Sequence, residues 1–128
     1  MSLELKLLVW SAGLAVVQML VALLAAIAQV GLLPLLGNRD SLPALAGLAG
    51  RARRAHHNML ESLAVFAPLV LVAVLAGKND AATGFGAQLF FWGRLAYAPA
   101  YVIGIPGLRT ALWGISFAGL VQILLQLL

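Results

Sequence analysis

Residues 7–31 read LLVWSAGLAVVQMLVALLAAIAQVG, and no charged side chain occurs anywhere between Lys6 and Arg39. A membrane-spanning helix needs about 20 predominantly apolar residues, whereas the apolar core of a secretory signal has about 7–15. This stretch therefore predicts a permanent transmembrane helix. The whole chain is 63% hydrophobic and 9% charged, against about 25% charged residues in soluble domains. The composition excludes an ordinary soluble domain and predicts an integral membrane protein in the lipid bilayer.

Three further apolar segments follow, separated by residues that favour turns. The predicted spans are residues 7–31, 54–76, 82–104 and 108–128. The second helix begins near Arg51, slightly before its span. Segments rich in glycine, proline or asparagine separate the spans at residues 37–50, 77–80 and 105–107. Residues 1–128 are therefore predicted to form one all-α domain, an integral membrane four-helix bundle.

The distribution of lysine and arginine predicts the orientation of the spans. The first and third connections carry five of these residues, namely Arg39, Arg51, Arg53, Arg54 and Arg109. The opposite side carries only Lys6 and Lys78. By the positive-inside rule, the first and third connections are cytoplasmic and both termini face outward. Basic loops of this kind account for the net charge of +4, so we predict no nucleic-acid partner.

The second and third spans carry polar residues at mirrored spacings, which we call the polar ladder. Its members are Arg54, Asn58 and Glu61 in the second span and Arg94, Tyr97 and Tyr101 in the third. Each set lies on one helical face, and antiparallel pairing places Arg54 level with Tyr101, Asn58 with Tyr97 and Glu61 with Arg94. Glu61 and Arg94 both lie about 15 Å deep, so we expect them to form an ion pair. The same pattern is also compatible with a structural polar seam that joins two helices.

Cations stand at the beginning of two predicted helices, where the helix dipole favours anions. Arg51, Arg53 and Arg54 open the second helix, and Arg109 opens the fourth. Arginines at helix N-termini can form an anion site. The positive-inside rule also explains Arg51 and Arg53, and anchoring in the headgroup layer is the alternative for Arg109.

The other polar residues carry weaker signals. His57 and Glu61 share a four-residue spacing, but one histidine and one carboxylate make a poor metal site, so we predict no metal. Ser11, Gln18 and Gln29 share a face of the first helix, which we expect to look into the bundle. The chain has no cysteine, which excludes a thiol nucleophile supplied by the protein.

The motifs of the last three helices resemble one known family. The second helix contains RARRAHHNMLE at residues 51–61, the third contains RLAYAPAY at 94–101, and the fourth contains RTALW at 109–113. This pattern is similar to the MAPEG family, the membrane-associated proteins in eicosanoid and glutathione metabolism, in a bacterial-type version. The resemblance covers the four-span layout and nearly the whole length.

The resemblance implies a homotrimer of four-helix protomers, with glutathione between protomers near the cytoplasmic side. It implies that the polar ladder binds glutathione, through Arg54, Asn58, Glu61 and Arg94, with Arg51 and His57 as further candidates. Arg109, Tyr101 and Tyr97 are the candidate catalytic residues, with Arg109 near the thiol. A free thiol has a pKa near ~8.5, and a cation together with a helix N-terminus lowers it. The implied localisation is a bacterial inner membrane, with the active site toward the cytoplasm.

The implied activity is a glutathione S-transferase or peroxidase that acts on hydrophobic electrophiles. The first helix lacks an arginine that some eicosanoid-making members carry, which argues against a specific eicosanoid synthase. The same departure is also compatible with a family member that binds glutathione poorly. Two other readings of the residues are a small four-span transporter for cationic compounds and a non-catalytic membrane interaction protein. Against the transporter, the only acid inside a predicted span, Glu61, is level with Arg94.

Overall fold

Five helices make up the part of the chain that the computed structural model describes, residues 1–40 and 44–128. They are α1 (Leu3–Val30), α2 (Leu32–Leu36), α3 (Gly47–Leu75), α4 (Ala81–Ile103) and α5 (Pro106–Leu127). No strand occurs within these described ranges. The prediction of an all-α architecture is therefore confirmed for them.

The long helices begin earlier than the predicted spans. α1 begins at Leu3 because the Ser2 side chain accepts a hydrogen bond from the Leu5 amide at 3.2 Å and caps the first turn. α3 begins at Gly47, so the predicted loop over residues 37–50 is wrong for its last four positions. The arginines near Arg51 were used to predict where the second span meets the membrane surface. A helix can continue beyond that surface, as α3 does here. Residues 41–43 of that predicted loop lie outside the described part.

Among the described helices, three are long and apolar enough to cross a membrane: α1, α3 and α5. No more than 22% of the most apolar window of each is buried within the protomer, so most of the apolar surface faces outward, as a lipid environment requires. α4 has 23 residues, which is long enough, but it does not belong to this apolar set. Its crossing stays a prediction.

The composition of α4 follows from its position inside the bundle. It packs against α5 most extensively and also against α1 and α3. Its buried positions include small and polar residues, such as Gly86, Gly93 and Arg94. In the core, the rings of Phe66 and Phe90 stack at 4.0 Å between centroids. α4 therefore packs closely against the other helices and has less apolar surface for contact with lipid.

The ends of α4 fix the two turns beside it. Asp80 and Thr83 form a capping box at its start, in which the Asp80 carboxylate accepts from the Thr83 amide at 3.0 Å. Gly104 ends the helix in the left-handed conformation, with φ 90°, which glycine adopts without steric cost. Pro106 then opens α5. This short connection brings Arg109 next to the last turn of α4.

A buried carboxylate sets the register of α1 against α4. Glu4 is 4% exposed, and its Oε2 accepts a hydrogen bond from the Thr83 hydroxyl at 3.1 Å. Both residues lie in the first turns of their helices, which therefore run parallel. The sequence reading did not single out Glu4, because it precedes the apolar run and looks like a flanking charge.

Candidate functional site

The beginning of α3, the end of α4 and the beginning of α5 meet at one end of the bundle. Arg51 in α3 donates from Nε to the carbonyl oxygen of Val102 in α4 at 2.8 Å. That carbonyl belongs to the last turn of α4, where a cation is favoured. Arg51 therefore joins two helices, which is a positioning role in addition to the predicted binding role.

Tyr101 lies between two guanidinium groups that come from different helices. Arg54 Nε donates to the Tyr101 hydroxyl oxygen at 3.1 Å. Arg109 Cζ lies 4.6 Å from the centroid of the Tyr101 ring, within the usual range of cation–π contact. The predicted level pairing of Arg54 with Tyr101 is therefore present, and α5 adds Arg109 to it. Because the hydroxyl oxygen accepts from Arg54, its own hydrogen can still be donated to a ligand.

Arg94 lies two helical turns deeper than Tyr101 in α4 and is 1% exposed. Its Nη2 donates to Asn58 Oδ1 at 2.7 Å, and its Cζ lies 4.3 Å from the Tyr97 ring centroid. Its Nε and Nη1 are buried without a hydrogen-bond partner among the described residues. Two N–H donors of a buried cation are costly to leave unpaired, so the site is suited to an anionic or carbonyl-bearing ligand.

The expected direct ion pair between Glu61 and Arg94 is absent from the described contacts. Asn58 holds Arg94 instead, because the long arginine side chain reaches past the level of its own Cα. Glu61 is exposed and lines a cavity of about 200 Å³ between α3 and α5, together with Asn58, Trp113 and Ser116. An approach of Glu61 and Arg94 through one bound ligand stays a prediction.

His57 does not join the polar ladder. It lies on another face of α3 and lines a cavity of about 410 Å³ between α1, the segment after α2 and α3, with Arg39 and Arg53. Adjacent helical residues point about 100° apart, which separates Arg53 from Arg54. In this chain the candidate cofactor-binding residues therefore fall on two surfaces. No group of three His, Cys, Asp or Glu that could hold a metal occurs in residues 1–40 and 44–128.

Two glutamines that the sequence placed on the inner face of α1 have different environments. Gln29 forms a pair of hydrogen bonds with the backbone of Ala46, donating to its oxygen at 3.2 Å and accepting from its nitrogen at 3.3 Å. This amide clasp holds the chain just before α3, and hence the basic end of α3, against α1. Gln18 is 7% exposed and its Oε1 has no donor among the described residues. Their shared helical face was visible in the sequence, but the backbone partner of Gln29 was not.

Together these residues form a site of arginine and tyrosine side chains. The carboxylate of Glu61 lies in the wall of the adjoining cavity. Three arginines from three helices surround two tyrosines whose ring centroids are 5.6 Å apart. Arginines recognise carboxylates in a bidentate manner, and the carboxylate of Glu61 can accept an ammonium group. The chemistry that fits is therefore an anionic ligand that also carries a cationic group.

Comparison with known proteins gives one match. The family model described as the MAPEG family matches residues 7–128 of this chain. No curated protein and no solved structure matches it. The match includes all the residues of the cationic site.

Proposed function

The chain belongs to the MAPEG family and is an integral membrane protein in which three of the described helices are long and apolar enough to span a bilayer, and we propose that it is a glutathione-dependent membrane enzyme. Its proposed reaction is the transfer of glutathione to a hydrophobic electrophile, or the reduction of a hydrophobic peroxide. The observation that carries this proposal is the convergence of Arg54, Arg94 and Arg109 on Tyr97 and Tyr101.

Binding is assigned to the groups whose donors and acceptors complement glutathione. The tripeptide has two carboxylates, one ammonium group and one thiol. The unpaired Nε and Nη1 of Arg94 and the exposed guanidinium of Arg54 are proposed to receive carboxylate or carbonyl oxygens. Glu61, on the wall of the neighbouring cavity with Asn58, is proposed to receive the ammonium group.

Catalysis is assigned to Arg109 and Tyr101, with Tyr97 as the second hydroxyl. The chain has no cysteine, so the nucleophile is the thiol of the bound tripeptide. Arg109 is close to the N-terminus of α5, and cation and helix dipole together lower the pKa of a thiol. The Tyr101 hydroxyl can donate to the resulting thiolate. In a transfer reaction the sulfur forms a bond to carbon, the leaving group departs with its electrons, and the thiol proton is lost to solvent.

Assembly and location complete the proposal. We propose a four-span protomer, with α4 as the remaining span, that assembles as a homotrimer in a bacterial inner membrane with the basic end toward the cytoplasm. His57 lies away from Arg54 in the protomer, so its proposed role in binding would be played from a neighbouring protomer. Hydrophobic electrophiles would reach the site from the bilayer, since most of the surface of the apolar windows is exposed.

Binding of glutathione to the purified trimer or protomer tests the proposal directly. We expect glutathione to raise the thermal midpoint in detergent, because a ligand that binds only the folded state stabilises it. Arg54→Leu should abolish this stabilisation. The control is Lys78→Leu, which removes an exposed cation from the turn at the opposite end of the bundle and should retain it. A protein that binds no glutathione, or that loses binding equally in both variants, contradicts the proposal.

The transporter and the non-catalytic interaction protein predict different experimental results. A transporter for cationic compounds would accumulate a labelled cation in proteoliposomes, and Glu61→Gln would stop it. A non-catalytic interaction protein would neither bind glutathione nor conjugate a chloronitrobenzene. Turnover that depends on both glutathione and Arg109 excludes both readings.

A further inference from the structure

The cavity that His57 lines lies on a different face of α3 from Arg54, and we call it the basic cavity. It has a volume of about 410 Å³, within the range of about 300–1,000 Å³ that is usual for ligand sites. Polar and apolar atoms form its wall in nearly equal parts, and its described lining residues are Ala22, Leu23, Ala26, Leu35, Arg39, Ala44, Leu45, Arg53 and His57. A wall of this kind suits an amphiphilic occupant.

Two arginines give the basic cavity its charge. Arg39 comes from the segment after α2 and Arg53 from α3, both residues are exposed, and no acidic residue occurs among the described lining residues. Arg39 Nε donates at 2.8 Å to the carbonyl oxygen of Leu35, which lines the same cavity. This bond holds the guanidinium at the wall and leaves its two terminal nitrogens for another acceptor. Because arginine binds phosphate oxygens through such donors, the cavity suits an anion.

The apolar part of the wall lies deeper in the membrane than the two arginines. Leu23 and Ala26 belong to α1, inside the predicted first span, whereas Arg53 directly precedes the predicted second span and Arg39 lies beyond the end of α2. Leu23 is 43% exposed, so lipid chains have access to this part of the wall. The basic cavity therefore extends from the headgroup level toward the level of the acyl chains.

We infer that the basic cavity binds an anionic phospholipid of the surrounding bilayer, with the phosphate at Arg39 and Arg53 and an acyl chain along the apolar wall. Basic pockets between membrane helices on the cytoplasmic side bind anionic headgroups, and the predicted orientation places this end of the bundle there. A free phosphate ion would leave the apolar wall without a partner. A zwitterionic lipid would bring a further cation to a cavity with no described carboxylate to receive it.

Lipid binding at this cavity does not depend on the glutathione proposal. It requires Arg39 and Arg53, and the glutathione proposal uses neither of them. His57, which that proposal assigns to the ligand of a neighbouring protomer, lines the same cavity but is not needed to hold the phosphate. The two proposals can therefore fail separately.

Native mass spectrometry of the whole protein in detergent with added lipid tests the inference. The probes are phosphatidylglycerol and phosphatidylcholine with identical acyl chains, and only the second carries a cation in its headgroup. At equal concentrations, we expect at least about fivefold more retained phosphatidylglycerol, which is the effect of one arginine on an anionic lipid near the membrane surface. Equal retention of both lipids, or no retained lipid, would overturn the inference.

Two variants assign the preference to the two arginines. Arg53→Leu and Arg39→Leu should each reduce the preference for phosphatidylglycerol about fivefold. The matched control is Arg54→Leu, which removes the adjacent arginine, on the face that meets Tyr101, and should retain the preference. All three residues are exposed, so the variants should keep the fold, which the thermal midpoint checks. Preserved preference in both variants, or an equal loss in Arg54→Leu, contradicts the inference, because the attraction would then not belong to this cavity.

The size of the cavity provides an independent control. Ala22→Leu narrows the cavity and should reduce retention of phosphatidylglycerol although both arginines are intact. Ala28→Leu, at an exposed position of α1 outside the lining, should not reduce it. If retention is unchanged in Ala22→Leu, the lipid binds elsewhere and the inference is wrong.

Three other occupants would give different results in the same measurement. Inorganic phosphate or glutathione, added in millimolar excess, should leave the lipid adducts unchanged. Displacement by phosphate would make the cavity a site for free anions, and displacement by glutathione would assign it to that ligand. If single chains retain the lipid but the intact oligomer does not, a second copy fills the cavity. Each of these three results refutes the inference.

Discussion

Arg94 is 1% exposed, and one of the three nitrogens of its guanidinium has an acceptor among the described residues. Stacking on Tyr97 compensates part of the burial through the ring quadrupole. A cation held in this way depends strongly on Asn58, its single neutral acceptor, while its other donors stay available. A buried group of this kind favours a binding function over a structural seam, because a seam built for stability would pair all its donors.

Asn58 should therefore matter more to stability than Glu61. In the ligand-free protein, Asn58→Leu should lower the free energy of unfolding by about 1.5–3 kcal/mol, the usual contribution of a hydrogen bond to a charged group. Glu61→Gln should change it by less than about 1 kcal/mol, because Glu61 is exposed and accepts no hydrogen bond from Arg94. Denaturant titration in detergent measures both. If Glu61→Gln destabilises the protein more than Asn58→Leu does, Glu61 and Arg94 form a direct ion pair and this prediction is wrong.

Arg109 should act on the thiol and not on the fold. Its guanidinium packs on the face of Tyr101, at the beginning of α5. We expect Arg109→Leu to keep glutathione binding within about threefold but to lose most of the ultraviolet absorbance of the thiolate at neutral pH, since the cation that lowers the thiol pKa is gone. Conjugation of a model electrophile should fall by at least about tenfold.

Arg109→Lys is the matched variant for that prediction. It keeps a positive charge but cannot stack as a planar group on Tyr101, so it should keep part of the thiolate signal. Unchanged thiolate and turnover in Arg109→Leu would leave this residue with a headgroup-anchoring role only.

Sequence reasoning at the residue scale succeeded where spacing alone decides the contact. The mirrored steps in α3 and α4 predicted that Arg54 would meet Tyr101. They did not indicate that Arg94 would bind Asn58 instead of Glu61 directly, because the pattern gives the level of each Cα and not the direction of a long side chain. The helical level of Arg109 was visible, but its stacking on Tyr101 depends on the turn at Gly104. The environments of Glu4 and Gln18 depend on the packing of α1 against α4, which no local pattern encodes.

At the scale of helices, glycines set the distance between α4 and α5. A Cβ atom on Gly86 would lie 2.8 Å from the carbonyl oxygen of Gly119 and 2.9 Å from Ile123 Cγ1. A Cβ on Gly119 would in turn collide with the carbonyl oxygen of Gly86. Small residues permit this close approach of helix backbones in membranes. The contact also holds α5 in place, and with it Arg109 beside Tyr101.

Gly86→Ala should therefore destabilise the protein by about 1–3 kcal/mol, the usual cost of overpacking. The control is Gly114→Ala in α5, where an added Cβ would meet nothing within 4 Å; this change should be neutral or stabilise the helix by up to about 1 kcal/mol. Thermal midpoints in detergent compare the two. Equal effects would mean that α4 and α5 are not held by this contact.

Element boundaries show a second limit of the sequence. The long helices overlap the segments that the charge gaps indicated but begin earlier, and the capping residues Asp80 and Gly104 account for the ends of α4. The charge gaps did not predict α2, because Leu32–Leu36 continues the apolar run of the first span. They also missed the first turn of α3, since Gly47 and the residues before Arg51 resemble a loop in composition. The two hydrogen bonds from Gln29 to the backbone of Ala46, which caps this turn, link positions 17 residues apart.

At the scale of the whole molecule, orientation in the membrane decides whether the cationic site can meet its ligand. Arg51, Arg54 and Arg109 all lie at the end of the bundle where α3 and α5 begin. The first and third connections lie at this end, and the turn after α3 lies at the other. A water-soluble thiol of the cytosol reaches these arginines only if that end is cytoplasmic, as the excess of arginine predicts.

Single cysteines should report this orientation without background, because the chain has none of its own. Ala44→Cys lies before α3 and Asn79→Cys lies in the turn before α4, and both positions are exposed. In intact cells a membrane-impermeant maleimide should label position 79 and not position 44, while permeabilised cells should label both. The number of lysines and arginines differs by five to two between the sides, and each adds a cost to translocation of its loop. Labelling of position 44 alone in intact cells would invert the topology, place the arginines outside, and separate the cationic site from cytosolic glutathione.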